Sequence, residues 1–287
     1  MQFSLFFWWA ASATWLAPAP RMVQRNYQPY FDAHEVEGSF LLLDATANQY
    51  TVYNLARCRQ GFLPASTFKI PNTLIGLETG VLRDTSDLCR WDGLPRGRAE
   101  WNQDMTMRKA FELSNVGYFQ ELARRIGPDY MQHYLDTADY GNKSIGGGID
   151  QFWLNDSLQI SADEQLGFVK RLYFAELPFA ERTQRIVKSM MLREDTLGNK
   201  LYYKTGWAQL PDKDVLWVVG FVEKIERMKE HENSMNKAGE RLYPYFFAMN
   251  FEVPAKDNTK PWGEVRISIL KQILTNYGAM NTAPEKQ

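Results

Sequence analysis

The sequence predicts an α+β fold in which both ends of the chain build one antiparallel sheet and a helical region is inserted between them. Strand-like segments rich in β-branched and aromatic residues occur early, in SFLLLDATANQYTVYN from residue 39. They return late, in KLYYKTGWA, VLWVVGFVEK and YPYFFAMNFE. The residues between carry helical periodicity instead. This order of elements indicates that the two strand-rich ends meet in a single sheet.

The first part of the chain reads as a hairpin followed by a helix. Two short strands are predicted around a turn at Ala45 to Asn48, where small and polar residues interrupt the apolar pattern. A helix is predicted from Thr67 to Leu77 and ends at Gly80, a residue type typical of helix C-caps. Pro71 lies inside this helix, where it removes one backbone hydrogen bond, and the sequence alone gives no complete reason for its tolerance.

The middle of the chain is predicted to be mostly helical. Helical patterns occur in MTMRKAFELSNVGYFQELARRIG and DYMQHYLDTA, joined by loops that contain DGLPRG, YGN and IGGGID. We therefore expect one domain over 21–287, with a sheet subdomain at about 21–80 and 185–287 and a helical subdomain at about 81–184. A final helix is predicted near Glu264 to Asn276.

Composition limits the classes of partner. With 45% hydrophobic and 23% charged residues, the 287-residue chain is an ordinary globular sequence that can bury a sizeable core. A formal net charge of -1 gives no electrostatic reason to expect nucleic acid or an anionic membrane surface. Small neutral or anionic ligands remain open, and so does the oligomeric state.

The first twenty residues, MQFSLFFWWAASATWLAPAP, carry no charged side chain and predict a secretory signal peptide over 1–20. Its small-residue cleavage site is either Ala11 to Ala13 or Ala17 to Ala19, although the usual positive residue after Met1 is missing. The alternative is a short membrane anchor, which two prolines and several small residues disfavour. We expect export, with no stable membrane insertion after processing.

Cysteine and histidine usage argues against a metal site. Cys58 and Cys89 are either one disulfide or two free thiols, and the sequence does not decide between them. There is no CxxC pair, and the three histidines, His34, His133 and His231, are scattered. A zinc site is therefore not predicted.

A charged segment at 224–242 separates the last two predicted strands. It lies within EKIERMKEHENSMNKAGERL, residues 223–242. Its mixed charges fall at helical spacings, and it is far longer than a tight hairpin needs. Two interpretations remain open: a solvated excursion without function, or a segment that mediates an interface.

The stretch PASTFKIPNTLIGLETG places a serine and a lysine, Ser66 and Lys69, at helical spacing in an apolar run. A serine hydroxyl is a poor nucleophile until a base takes its proton, and histidine, the usual base, is scarce here. Lysine can replace it only when neutral, which requires removal from water. The apolar neighbours Phe68, Ile70 and Leu74 make that desolvation credible.

Three further triplets follow in order along the chain. They are Ser114-Asn115-Val116, Tyr140-Gly141-Asn142 and Lys204-Thr205-Gly206, with the last on a predicted strand. Each triplet alone is more often a helix-interior serine, a turn or a strand-edge lysine than part of an active site. Their joint occurrence after Ser-x-x-Lys is improbable by chance, so we interpret the four elements together as one catalytic site.

With these motifs, WDG at 91–93, GGIDQFWL at 147–154 and YFFAMN at 245–250, the sequence resembles the class D (oxacillinase-type) serine β-lactamases from about Tyr30 to Tyr277. The resemblance implies the three-layer α/β/α fold of penicillin-recognising serine enzymes. It also implies hydrolysis of the β-lactam ring of antibiotics through a serine acyl-enzyme in the bacterial periplasm, conferring resistance. The partners would be small β-lactams and not nucleic acid, and no metal or cofactor would be needed beyond a CO2-derived carbamate on lysine.

The resemblance also implies residue roles. Ser66 would be the acylated nucleophile, Lys69 would be N6-carboxylated and act as general base, and Ser114 would relay a proton to the leaving nitrogen. The Trp153 indole N–H would donate to the carbamate. The apolar pocket around Lys69 would come from Val116, Trp153 and Leu154.

The predicted substrate-binding residues lie on the other side of the site. Lys204 and Thr205, with Arg266, would hold the substrate carboxylate, and Gly206 belongs to the same strand. The backbone N–H groups of Ser66 and Trp207 would form the oxyanion hole.

The sequence departs from the family pattern in two places. The 224–242 segment is longer than usual, and Asn115 stands where small or apolar residues are more familiar. WAQLPDKD, after KTG, belongs to a loop that varies in the family, so penicillin, cephalosporin or carbapenem preference and inhibitor profile stay open.

Two rival functions are disfavoured. A β-lactam sensor domain would need transmembrane helices upstream, where about twenty residues precede the domain. A penicillin-binding peptidase is disfavoured by the Trp153 neighbourhood.

Overall fold

The computed structural model describes residues 19–196, 198–227 and 240–281. The signal peptide predicted for 1–20 falls almost entirely outside these residues, and so does 228–239, the centre of the charged segment. Among the described residues, no helix combines the length and apolarity needed to cross a bilayer.

Within the described residues, nine strands form one large sheet and one small ribbon. In chain order they are β1 Arg21–Gln24, β2 Glu37–Asp44, β3 Gln49–Tyr53, β4 Leu88–Cys89, β5 Met105–Thr106, β6 Leu192–Thr196, β7 Asn199–Gln209, β8 Lys213–Arg227 and β9 Glu240–Pro254. The large sheet has the order β1-β3-β2-β9-β8-β7-β6, and β4 pairs with β5. Strands from both ends of the sequence therefore meet in one sheet, as predicted.

The sheet differs from the prediction at its edge. Six strands are antiparallel, but β1 pairs parallel to β3, with Met22 opposite Tyr50. The strand RMVQ is short, and Val23 is its one half-buried residue, so it carries no alternation that would identify it. The early hairpin is confirmed, because β2 and β3 flank the turn at 45–48.

Helices cover both faces of the sheet. In chain order they are α1 Gln28–Asp32, α2 Leu55–Cys58, α3 Lys69–Glu78, α4 Met107–Glu112, α5 Val116–Ile126, α6 Pro128–Thr137, α7 Ala162–Tyr173, α8 Glu181–Met190 and α9 Trp262–Tyr277. Two short 3-10 helices, Ala65–Phe68 and Ala99–Trp101, complete the set.

Two hydrophobic cores lie on opposite faces of the sheet. Along β2, Leu41 and Leu43 face the core that contains α3, α5 and α7, whereas Phe40 and Leu42 face the core that contains α1 and α9. Strands buried on both faces read as continuous apolar runs, which explains FLLL and VLWVV in the sequence. The three-layer arrangement expected for the fold is confirmed.

The structure adds detail to two of the predicted helical segments. The periodic run at 105–127 is two helices, α4 and α5, because the backbone at Ser114 has a φ of 57° and cannot continue a right-handed helix. Pro71 is the third residue of α3, which begins at Lys69. Its missing N–H falls in the first turn, where backbone donors have no partner within the helix, so it does not break α3.

The last two strands are longer than predicted. β8 and β9 stay paired beyond Val222 and Tyr245, up to Arg227 opposite Glu240. The ends of the charged 224–242 segment are therefore strands, with Glu226 opposite Arg241. Cys58 and Cys89 are both free thiols, so the two-thiol alternative is the one found.

Candidate active site

Ser66 and Lys69 meet where the 3-10 helix Ala65–Phe68 runs into α3. Lys69 Nζ donates a hydrogen bond to Ser66 Oγ at 2.8 Å, and the lysine is completely buried while Ser66 is partly accessible. Burial, with a smaller effect of the Arg98 charge, lowers the pKa of Lys69 to about 7. A lysine with this pKa is about half neutral at pH 7, so the neutral amine that the sequence interpretation required is well populated.

Aromatic rings surround this lysine. Lys69 Nζ lies 5.3 Å from the centre of the Phe119 ring. Phe68, the residue before Lys69, stacks on Trp153 with 5.1 Å between ring centres. Trp153 is completely buried, and its Nε1 has no hydrogen-bond partner among the described residues. Leaving a buried N–H unpaired costs free energy, so an acceptor beside Nε1 would gain a hydrogen bond that the described residues do not supply.

Ser114 occupies a tight turn between α4 and α5. Its φ of 57° is unusual for a residue with a side chain, and its Oγ accepts a hydrogen bond from Lys204 Nζ at 2.9 Å. Trp101 holds the turn from both sides: its Nε1 donates to Leu113 O at 3.0 Å, and its carbonyl accepts from Asn115 Nδ2 at 3.3 Å.

Asn115, which departs from the family pattern, has a structural role. Its side-chain oxygen accepts from the Tyr118 N–H at 3.1 Å and so caps the N-terminus of α5. Asn115 is nearly buried, and its amide also contacts Met105 Sδ at 3.4 Å. The departure therefore supplies a helix cap and does not disturb the Ser114 hydroxyl.

Lys204 lies on β7, across the cleft from the nucleophile. Besides Ser114 Oγ, its Nζ donates to Thr205 O at 3.0 Å. Burial lowers the pKa of Lys204 well below its usual value, and the charges of Lys69, Arg193 and Arg266 lower it further. Thr205 is half-buried beside it, and the predicted Trp207 is exposed, with its Nε1 donating to Asp214 Oδ2 at 2.7 Å.

Two walls of the site meet at Gly206: a helix wall, made of the 3-10 helix Ala65–Phe68 and α3, and a strand wall, made of β7. Their close contact requires a glycine at this position. A Cβ at this position would lie 2.7 Å from Pro64 O and 3.1 Å from Thr67 Cγ2. Only glycine lets β7 approach the 3-10 helix that carries Ser66 this closely.

Arg266 reaches the same strand from α9. It is 6% exposed, its Nη1 donates to Gly206 O at 2.6 Å, and burial lowers its pKa to about 10. A cavity of about 480 Å³ borders Arg266 together with Lys204 and Thr205. Sequence reasoning thus selected three residues that the structure does bring to one cavity.

The remaining predicted residues are Val116 and Leu154, assigned to the pocket around Lys69, and the triplet Tyr140-Gly141-Asn142. Val116 begins α5 and Leu154 packs against the core near Trp153, both half-buried. Tyr140-Gly141-Asn142 instead braces a loop: Asn142 Nδ2 donates to Ser157 O at 2.9 Å, and its Oδ1 accepts from the Gln159 N–H at 3.0 Å.

Several residues of the site escaped the sequence reasoning. Phe119 contacts Lys69, Trp101 holds the Ser114 turn, and Arg98 and Arg193 act on the buried lysines through their charge. None of them belongs to a motif used in the sequence reasoning. Across the described ranges, no cluster of three or more His, Cys, Asp or Glu side chains could hold a metal ion.

Comparisons with known proteins agree with this geometry. Residues 26–229 match the penicillin binding protein transpeptidase domain family. The chain is 40% identical over 226 residues to Beta-lactamase OXA-5 of Pseudomonas aeruginosa, covering 78% of this chain and 79% of that protein. It is also 31% identical over 254 residues to Regulatory protein BlaR1 of Bacillus licheniformis, covering 88% of this chain but 39% of that protein.

Solved structures give the same result. The crystal structure of a class D β-lactamase from Sebaldella termitidis superposes with a TM-score of 0.82 and 29% sequence identity, covering 92% of this chain and 100% of that chain. Enzymes of this class need no metal, in keeping with a site built from serine and lysine side chains. The chain belongs to the class D serine β-lactamases, hydrolases of β-lactams.

Proposed function

We propose that the protein hydrolyses β-lactam antibiotics through an ester on Ser66, that the Lys69 side chain is the general base in its N-carboxylated form, and that it confers β-lactam resistance. The observation that carries the proposal is the 2.8 Å hydrogen bond between the completely buried Lys69 Nζ and Ser66 Oγ. Burial favours the neutral form of the lysine, and the bond places it where the serine proton must go.

Acylation would use both walls of the cleft. The Ser66 proton moves to the Lys69 side chain, and Ser66 Oγ attacks the lactam carbonyl carbon. The backbone N–H groups of Ser66 and Trp207 stabilise the oxyanion. The ring C–N bond then breaks, Ser114 gives its proton to the nitrogen, and Lys204, 2.9 Å away, restores that proton. The proton that the Lys69 side chain took from Ser66 passes to Lys204 through solvent, so both lysines regain their starting protonation states before water attacks the ester.

The surroundings of Lys69 fit carboxylation by CO2. Only a neutral amine reacts with CO2, and burial lowers the pKa of Lys69 to about 7. The unpaired Trp153 Nε1 would hold the added group by donating a hydrogen bond, and Val116 and Leu154 would help keep water out. When present, the carboxyl group supplies an anionic oxygen base beside Ser66 for both acylation and deacylation.

Substrate would be held on the strand side of the cleft. Lys204, Thr205 and Arg266 border one cavity and would bind the carboxylate shared by β-lactam nuclei, with Gly206 letting the strand approach. The second half of the reaction is attack of water on the Ser66 ester, which releases the opened product. We further propose that residues 1–20 direct export and that the mature protein works in the periplasm.

The test is hydrolysis of a chromogenic β-lactam by the purified protein and by Ser66→Ala. We expect sustained turnover by the native protein, complete loss in the variant, and an acyl adduct on the native chain alone by intact mass. Ser189→Ala is a matched control on exposed α8, where Oγ donates to Ile186 O at 2.7 Å, and should keep full activity. Near-native turnover by Ser66→Ala would disprove the nucleophile assignment.

Similarity to the regulatory protein supports one alternative, a β-lactam sensor domain that is acylated without efficient turnover. A penicillin-binding peptidase acylated in the same way gives the same kinetic signature. Either alternative predicts one equivalent of opened β-lactam per protein and a stable adduct. Multiple turnovers would exclude both.

A further inference from the structure

An irregularity in the edge strand directs one arginine toward the cleft. In the pairing of β6 with β7, Leu192 lies opposite Tyr202, but Glu194 lies opposite Leu201, so Arg193 is the extra residue of a β-bulge. Bulges bend a strand and change the direction of a side chain, and they are frequent beside active sites. Arg193 would otherwise have followed the regular alternation of the strand.

The Arg193 side chain is held along its length but free at its tip. Nε donates to Tyr203 O at 3.3 Å, and the guanidinium carbon lies 5.9 Å from the ring centres of both Phe111 and Tyr203. Within the described residues, no protein acceptor is hydrogen-bonded to its two terminal nitrogens. The tip can therefore bind a ligand without breaking a protein contact.

The tip borders the cavity already assigned to the substrate carboxylate. Arg193, Lys204, Thr205 and Arg266 line the same volume of about 480 Å³. Glu112 also lines it, but its carboxylate is paired with Lys109 Nζ at 3.0 Å. The cavity therefore carries three basic side chains and one acid, which is ion-paired with Lys109.

Two observations indicate that this cavity favours an anion. Arg266 is 6% exposed, yet its Nε has no hydrogen-bond partner among the described residues. The positive charges of Arg193 and Arg266 both lower the pKa of Lys204, so the cations disfavour each other when no anion separates them. A bound carboxylate would relieve this repulsion and would accept hydrogen bonds from the guanidinium groups.

We propose that Arg193 is a substrate-binding residue that extends the anion subsite of Lys204, Thr205 and Arg266 and contacts the carboxylate of the β-lactam nucleus. This inference rests on the proposed function, because it uses the carboxylate site assigned there. Arg193 lies outside every motif used to recognise the family, so it adds a contact that the motifs do not contain.

The test compares a free β-lactam acid with its methyl ester, which has the same ring and no negative charge. For Arg193→Met, we expect KM for the acid to rise roughly tenfold with kcat nearly unchanged, since one charge-assisted hydrogen bond is lost. Hydrolysis of the ester should not change. Arg193→Lys, which keeps the charge but not the planar donors, should recover part of the loss for the acid.

Arg171→Met is the matched control. Arg171 is also half-buried and lies 5.9 Å from an aromatic ring, Phe168, with Nη2 donating to Ala138 O at 2.6 Å. This substitution removes the same charge from the chain on α7 and should leave the acid-to-ester ratio at its native value. Thermal melting of both variants will show whether either loses stability.

Two results would overturn the inference. Equal losses for acid and ester in Arg193→Met would mean that Arg193 only supports the fold, and no loss for either would mean that it does not touch substrate. Both results leave the proposed function intact as long as the native protein turns over and Ser66→Ala does not. Absence of turnover in the native protein would instead reject the proposed function itself.

Discussion

The two walls of the cleft each carry a buried lysine, but the surroundings of the two lysines differ. On the helix wall, Lys69 lies among aromatic rings, and burial is the main reason its pKa is lowered. On the strand wall, Lys204 is equally buried, and four cations act on it. They are Lys69, Arg193, Arg266 and Arg98. One lysine is placed in an apolar pocket and the other in a positively charged one.

This difference separates two tasks. An apolar pocket favours the neutral form of an amine by removing it from water, which suits a base that accepts the serine proton. A cluster of cations gains most when an anion arrives, which suits recognition of a carboxylate. Ser114 Oγ accepts a hydrogen bond from the strand lysine at 2.9 Å, as the proposed proton relay requires.

The largest effect should come from removing the helix-wall lysine. We expect Lys69→Ala to lower the turnover of a chromogenic β-lactam by about 10³-fold, because general base catalysis contributes that much. We expect slow acylation of Ser66 to persist in the variant, so the adduct should accumulate and be visible by intact mass. Added bicarbonate should speed the native protein and leave the variant unchanged. Equal bicarbonate responses would contradict carboxylation of Lys69.

The second prediction concerns stability and uses Lys69→Met. The pKa of Lys69 is about 7 in the folded protein and 10.5 for an ordinary lysine, so between these pH values the unfolded chain holds a proton that the folded chain lacks. Native stability should therefore rise as pH increases from 7 toward 10.5. At pH 7, Lys69→Met should be more stable by about 4 kcal/mol, although it is inactive.

Urea unfolding in CO2-free buffer across this pH range will measure the effect. Lys109→Met is the control, because the Lys109 side chain is 51% exposed on α4. It should show the same pH dependence as the native protein. A Lys69→Met curve parallel to the native one would contradict the lowered pKa.

The third prediction tests the contact between the walls through Gly206→Ala. The new Cβ would meet Pro64 O at 2.7 Å, a backbone atom that cannot rotate away. Overpacking of this kind should cost about 1–3 kcal/mol of stability. By moving β7 from Ser66 it should also lower kcat/KM roughly 10- to 100-fold.

Gly167→Ala provides the comparison for that variant. Gly167 lies in α7, and among the described residues outside its own turn of helix no atom lies within 4 Å of a Cβ added there. Alanine is the better helix residue, so this control should gain up to about 1 kcal/mol and keep native activity. Similar losses in both variants would mean that the walls can separate without harm.

The smallest effect should come from Arg98→Ala. Arg98 is exposed and is the second cause of the lowered pKa of Lys69. Its removal should raise that pKa slightly and shift the acidic limb of the pH–rate profile to higher pH, with a loss of roughly twofold near pH 7. Because the charge is exposed, high salt should bring the native and variant profiles together. A shift to lower pH would contradict this account.

Much of the fold was predictable because periodicity reports burial. The strands β7, β8 and β9 were visible as apolar and aromatic runs, and the helices α5 and α6 as amphipathic ones. The parallel edge strand β1 was not, because four mostly exposed residues carry no pattern. The break at Ser114 was missed because its positive φ is imposed by tertiary contacts with Trp101, not by a glycine.

The site was predictable as far as its motifs extend. Ser66 and Lys69 form one hydrogen-bonded pair, as their helical spacing predicted, and Ser114 and Lys204 form a second. Arg193 could not be found, because its direction depends on a one-residue shift in strand pairing. The Trp101 contacts to Leu113 and Asn115 likewise join loops whose geometry the sequence does not encode locally.

The contact of Gly206 with Pro64 has a consequence for how such an enzyme can diversify. Because the two walls touch through peptide atoms, the spacing between nucleophile and binding strand is set by the backbone and not by exchangeable side chains. Substitutions of exposed side chains, such as Trp207 or Arg98, would leave this spacing unchanged. The reacting geometry is in this way insulated from selection acting on substrate range.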